Sequence, residues 1–375
     1  MVEQNPKTRF DRMTGRQRAS VIGGVCFALF VILFAFAESF VRVRAWLKHG
    51  QTVIRIEDSY KSDRQTGLRL PTPGFSTPRL TINSLGFRGP ELPRDKPLGL
   101  YRIAFLGGST TYCADVSSDD KTWPYLVVEA LRLALPDRQF DYVNAGVPGY
   151  TTRASLKRFK LEVRALDPDL VVIYHASNDL SINSRKAAKE QDLKHMLGDQ
   201  ALTWLSDWSM LAYLVEKNLR VKSLQAAVDD ASNKLNTDPT ALALPFEDDL
   251  RKLVKVVKAS GMKIVLVSFV TRLRRDQTPE EKRAAAVTAL YYMPYMTPNG
   301  LIDSFEVYNR TIRKVATEEG ATYVDTAIAV PGDAAHFVDS VHFNDQGAAA
   351  IARAVSMRLP AIIQSEDPIG AMKNR

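Results

Sequence analysis

Hydrophobic and polar positions follow two regimes along this chain. Between Arg18 and Glu38, nineteen residues from Ala19 to Ala37 carry no charge and are dominated by Val, Ile, Leu, Phe and Ala. As a helix they would span about 28 Å and be apolar on every face, which fits a bilayer better than a soluble core. The pattern predicts a transmembrane anchor over 19–41 behind a basic leader, 1–18. A cleaved signal peptide is the competing reading, because Ala35-Phe36-Ala37 supplies an A-x-A site; the long leader favours the anchor. From Gln51 to Pro97 no period of 2 or 3.6 is sustained, and Pro, Gly, Ser, Thr and Arg are frequent. Residues 42–98 therefore read as a stalk, or as a segment laid on a domain surface.

After Tyr101 short β-branched runs alternate with helical stretches. The runs are Arg102–Leu106, Tyr142–Asn144, Leu170–Tyr174, Lys263–Phe269 and Thr322–Asp325, the signature of βαβ units around a parallel sheet. Leu250, Leu253, Val254 and Val257 share one helical face, and Gly261 stands where a left-handed cap belongs. Thr278-Pro279-Glu280-Glu281 has the form of a capping box. These signals predict an α/β domain over 99–365, with a polar helical insertion near 181–245 that could serve as a lid or substrate wall, and a tail over 366–375.

Composition narrows the class. With 375 residues, 45% apolar and 25% charged, neither wholesale disorder nor a polytopic membrane protein fits. The net charge of +8 includes nine basic against five acidic residues in the first sixty. The rest carries only a mild excess, too little for a nucleic-acid surface. Cys26 and Cys113 give no disulfide framework. Five basic residues precede the apolar run (Lys7, Arg9, Arg12, Arg16, Arg18) and four follow it (Arg42, Arg44, Lys48, Arg55). That margin places the N-terminus in the cytoplasm and the bulk of the chain in the periplasm or outside, on the cell (inner) membrane.

Ligands of an open parallel sheet bind beyond the strands' carboxyl ends, so the residues just after each strand carry the candidate chemistry. Gly107-Gly108-Ser109-Thr110 follows the first strand and would expose the Ser109 hydroxyl and N–H, whether as nucleophile, helix cap or phosphate loop. Asn144-Ala145-Gly146-Val147-Pro148-Gly149 offers glycine N–H groups after the second strand, and Ser177-Asn178-Asp179 offers an amide, or a helix cap, after the third. Near the C-terminus, Asp339 and His342 are spaced so that the carboxylate can hold one imidazole nitrogen while the other takes a proton from Ser109. His336 extends this to His-x-x-Asp-x-x-His, a metal-like spacing with no further ligand cluster beside it. No metal or cofactor is expected.

Together, in this order, these residues resemble the SGNH hydrolase superfamily of GDSL-type esterases and lipases, over roughly Tyr101 to Leu359. The preceding Asn83-Ser84-Leu85-Gly86-Phe87-Arg88-Gly89-Pro90-Glu91 is similar to a lead-in of membrane-anchored bacterial members. The resemblance implies a three-layer α/β/α fold with a flavodoxin-like five-stranded parallel sheet. It also implies Ser109 as nucleophile, Asp339 and His342 as its acid–base pair, and an oxyanion hole from Ser109, Gly149 and Asn178, with Gly146 the lesser candidate for the glycine. Gly108 replaces the family's usual aspartate, which helps structure the nucleophile turn, and Ser177 replaces a usual glycine. The implied activity is ester hydrolysis on an acylated small molecule, lipid or glycan. O-acyl transfer to an exported polysaccharide and non-catalytic binding of acylated glycans are the rival readings. Trp204, Trp208, Tyr291 and Tyr292 could line a sugar wall or belong to the core.

Overall fold

The computed structural model describes residues 13–49, 60–193, 205–227 and 234–364. Most of the leader, Arg55, Trp204 and the tail lie outside these residues. The chain forms two units, Met1–Val53 with Ala201–Asn218, and Ile54–Gln200 with Leu219–Arg375.

In the first unit, helix α1 (Gly15–His49) carries the apolar run, and Phe27, Phe30, Leu33 and Phe36 are exposed along it. Among the described residues, its Gly15–Leu47 stretch is long and apolar enough to cross a membrane, with an 18-residue window of mean hydropathy 2.6. Glu38, the first charge after the run, accepts hydrogen bonds from Ser209 Oγ and from the N–H groups of Met210 and Leu211. Those donors flank the junction of α6 (Leu205–Trp208) and α7 (Met210–Ala227), where a helix start leaves its N–H groups without internal partners.

The second unit opens with two small hairpins, β1 (Tyr60–Ser62) with β2 (Arg69–Pro71), and β3 (Ser76–Thr77) with β4 (Leu80–Thr81). Five parallel strands follow: β5 (Leu100–Gly107), β6 (Gln139–Asn144), β7 (Leu170–Tyr174), β8 (Lys263–Val267) and β9 (Thr322–Val324), in the order β6-β5-β7-β8-β9. Ile103, Ala104, Phe105 and Leu106 of β5 are fully buried. Helices cover both faces, so the strand is a continuous apolar run rather than an alternating one. The chain steps from β5 to β6 in one direction and then from β6 through β9 in the other. Right-handed crossovers therefore put α3 (Trp123–Ala134) on one face, and α4 (Thr152–Arg158), α5 (Ser177–Glu190), α8 (Pro239–Ala259) and α10 (Pro298–Glu319) on the other. The final helices α11 (Asp345–Ser356) and α12 (Leu359–Gln364) return to α3, while α8 packs on α10. Reversal of the crossover direction leaves a crevice between the carboxyl ends of β5 and β7.

Local signals explain the helix ends. Leu250, Leu253, Val254 and Val257 are buried, Gly261 has φ +80°, and the Thr278–Glu281 capping box starts α9 (Pro279–Tyr292).

Of the stretch read as a stalk or as a segment laid on a domain surface, residues 60–98 belong to the second unit. Ile82, Asn83, Phe87 and Arg88 are buried, and three arginines tie the segment down. Arg102, fully buried at the start of β5, meets Asp141 through two nitrogens at 2.7–3.2 Å and donates to the carbonyls of Pro93 and Leu166, both at 2.8 Å. Arg158 donates to Gly86 O and lies over the Phe87 ring. Arg88 reaches the helix after β5. A buried guanidinium must find acceptors, and backbone carbonyls of this proline-rich stretch provide them, which local periodicity does not reveal. Within the expected insertion, Ala201–Asn218 belongs to the first unit.

Removing Arg102 strands Asp141 and two carbonyls. Arg102→Ala should lower unfolding stability by about 3 to 5 kcal/mol in urea titrations of the detergent-solubilised chain. A loss under about 1 kcal/mol would show that the pair merely offsets its own desolvation.

Candidate active site

Strand β5 delivers Gly108 and Ser109 to the crevice. Gly108 is the N-cap of the four-residue helix α2 (Ser109–Tyr112), and Ser109 is its first residue, so the Ser109 N–H has no partner within the helix. A Cβ on Gly108 would lie 2.7 Å from Asn178 Nδ2. The glycine that replaces the expected aspartate thus leaves room for the close approach of that amide.

Ser109 Oγ is 2.7 Å from His342 Nε2, and His342 Nδ1 is 2.8 Å from Asp339 Oδ2. The spacing of three works because Asp339 closes a turn on its own backbone, Oδ1 accepting the N–H groups of Val341 at 2.9 Å and His342 at 2.8 Å. The loop is anchored by Ser340, whose Oγ accepts the Ala289 N–H and whose carbonyl accepts the Arg272 N–H. Burial opposes the imidazolium, but the Asp339 carboxylate outweighs it and raises the His342 pKa above its ordinary value. Burial likewise pushes the Asp339 carboxyl up, and the imidazole with the two backbone N–H groups more than reverses this, holding it below the usual range.

The loop after β6 separates the two glycine candidates. Gly146 donates its N–H to Asn144 Oδ1 at 3.1 Å, and a Cβ there would strike the backbone of Thr111 and Tyr112. Gly146 therefore packs against the back of α2. Gly149 takes φ +84°, and among the described residues no acceptor holds its N–H. Asn178, in the first turn of α5, donates one Nδ2 hydrogen to Tyr150 O at 2.8 Å. The bond orients the amide and leaves its second hydrogen for a ligand.

Beneath this loop lies a buried polar group whose role sequence reading missed. Asp179 accepts the Thr152 N–H at 3.1 and 3.2 Å, so the residue beside Asn178 caps α4 rather than its own helix. Burial pushes its pKa up to about 7, and burial pushes the neighbouring His175 down to about 3. His175 Nε2 pairs with Ser155 Oγ at 2.8 Å. Asn178 and Asp179 together clamp residues 150–152, a tie that the Ser-Asn-Asp string signals only when read across two strands.

His336 Nδ1 pairs with Asp333 at 2.7 Å while His342 pairs with Asp339, so the two histidines share no carboxylate. Trp208 is exposed in the unit of α1, and Tyr291 and Tyr292 meet edge to face with centroids 5.1 Å apart.

Residues 105–350 match the model of the GDSL-like Lipase/Acylhydrolase family. Among solved structures, the chain is similar to Axe2, an acetylxylan esterase from Geobacillus stearothermophilus, at 20% identity and TM-score 0.40, covering 68% of this chain and 92% of that one. It is also similar to LAE5, an alpha/beta hydrolase enzyme from the metagenome of Lake Arreo, Spain, at 17% identity and TM-score 0.41, covering 68% and 93%. No curated protein matches the sequence.

The Asp179 carboxyl binds its proton more tightly folded than unfolded. Its contribution to stability is full below the ordinary value of 3.8 and is lost as pH rises through about 7. Asp179→Asn should flatten the pH dependence of the urea midpoint between about pH 4 and 7. An unchanged slope would place the titrating group elsewhere.

Proposed function

Because the chain belongs to the GDSL-like lipase/acylhydrolase family and is an ester-hydrolysing enzyme, we propose that it works through an acyl-enzyme on Ser109. The observation that carries this reading is the 2.7 Å approach of Ser109 Oγ to His342 Nε2, with Asp339 on the far imidazole nitrogen. Neutral His342 accepts the hydroxyl proton as Ser109 Oγ bonds to the ester carbonyl carbon. Asp339 fixes the tautomer by accepting Nδ1–H and stabilises the imidazolium that forms. The carbonyl oxygen takes up negative charge, and the N–H groups of Ser109 and Gly149 with the Asn178 amide are its donors. Such a donor is worth roughly 3 to 4 kcal/mol in the transition state.

Collapse breaks the bond to the alcohol oxygen, which leaves with the proton from His342. Water then attacks the acyl carbon, passes its proton to His342 and frees the acid, and Ser109 regains its proton. The alcohol portion of the substrate is an envelope glycan or lipid, with the catalytic unit on the periplasmic or outer side of the membrane. The exposed apolar helix α1 and the basic excess before it support that placement.

With a short-chain aryl acetate, Ser109→Ala and His342→Ala should each lower kcat by about 10³ or more, and Asn178→Ala by about 10² to 10³. Retained turnover in the serine and histidine variants would refute the assignment. Since only neutral His342 is a base, kcat/KM should rise with pH along a limb centred above 6.5. Asp339→Asn removes the group that raises that pKa, so the limb should move to lower pH while its plateau falls; an unmoved limb would assign it to another group.

A further inference from the structure

Helix α2 is too short to satisfy itself. With four residues from Ser109 to Tyr112, its later carbonyls find no N–H within the helix. Side chains from three other segments supply the donors. Trp123 Nε1 donates to Thr110 O at 3.1 Å, and Asn144 Nδ2 donates to Thr111 O at 3.0 Å. Arg88 Nη1 donates to both Tyr112 O and Cys113 O at 2.6 Å. The rest of that guanidinium is fixed in turn, Nε on Asp119 Oδ1 at 2.8 Å and Nη2 on Arg79 O at 2.9 Å. Arg88 is 2% exposed, and its backbone bridges Asn144.

Position and charge both matter here. Positive charge at the carbonyl end of a helix is favourable, and charge-assisted hydrogen bonds are the shorter and stronger kind. The opposite end of α2 begins at Gly108, which has no side chain with which to brace the turn. Arg88 also lies outside the residues that match the family, 105–350.

We propose that Arg88 is a positioning residue for the nucleophile. By holding the carbonyl end of α2 it keeps Ser109 in hydrogen-bond register with His342, so the segment before β5 is part of the catalytic apparatus. This proposal rests on Ser109 being the nucleophile. Arg88 acts on Ser109 indirectly, through the Tyr112 and Cys113 carbonyls and the Tyr112 ring that it lies over.

The test is the rate at which a fluorophosphonate labels the folded full-length chain, measured with kcat and KM for an aryl acetate. Arg88→Met should label at least tenfold more slowly and lose kcat in proportion, with KM little changed. Arg88→Lys, which keeps the charge but reaches fewer acceptors, should fall between it and the wild type. Arg102→Ala is the control, an equally buried arginine at the far end of β5 whose loss should leave labelling per folded molecule unchanged. Wild-type labelling rates in both Arg88 variants, or in the lysine variant alone should the methionine variant not fold, would overturn the proposal. Equal slowing by Arg102→Ala would also overturn it, by reducing the effect to general destabilisation. Failure of the wild type to label would remove the nucleophile reading itself, and this proposal with it.

Discussion

A hydrogen bond of 2.7 Å between Ser109 and His342, whose positions are 233 residues apart in the chain, is the contact around which the catalytic unit is arranged. Neither side chain can make it alone, because each sits on a short turn that would move without support. The sheet sets the coarse position by sending Ser109 from the end of β5 into the crevice beside β7. Fine position comes from backbone groups that have no regular partner, the carbonyls of α2 and the N–H groups of the 339–342 turn. Each set is held by side chains chosen for hydrogen-bonding capacity rather than bulk. Charge acts on the same contact, since a carboxylate held ionised at Asp339 orients the imidazole and raises its basicity together.

Three buried arginines connect this site to the part of the chain before it. Arg88, Arg102 and Arg158 are each at most 2% exposed, and each joins residues 79–98 to the sheet or its helices. An isolated buried guanidinium would be very costly, so each sits among carboxylates and carbonyls that satisfy it. The consequence is cooperative: the lead-in segment has little regular structure of its own and is ordered by the cations it surrounds. Its Pro and Gly content prevents a helix or long strand and leaves carbonyls free to accept.

Much of this was legible in the sequence. The five parallel strands stand where the β-branched runs put them, because a strand buried on both faces has to be apolar throughout. Ser109, Asp339 and His342 were legible as neighbours because the end of a parallel strand is where a ligand can reach the backbone. Arg88 and Asp179 were not, since both act through backbone atoms distant in sequence and neither belongs to a periodic pattern. The way residues 79–98 are tied down was hidden for the same reason. Arg88 is buried there through polar contacts to residues distant in sequence, whereas sequence periodicity reports apolar faces. Resemblance alone put Gly149 ahead of Gly146 in sequence, whereas the Asn144 side chain that engages the Gly146 N–H, and the crowding of Gly146 against Thr111 and Tyr112, are differences the string does not display.

The most direct test of the account is to quench the full-length enzyme in acid during turnover of an aryl acetate and map the acylated peptide by mass spectrometry. The account predicts one acetyl group on Ser109, absent from Ser109→Ala and accumulating when deacylation is slowed. An acetyl group on another residue, or sustained turnover with Ser109 never modified, would contradict it.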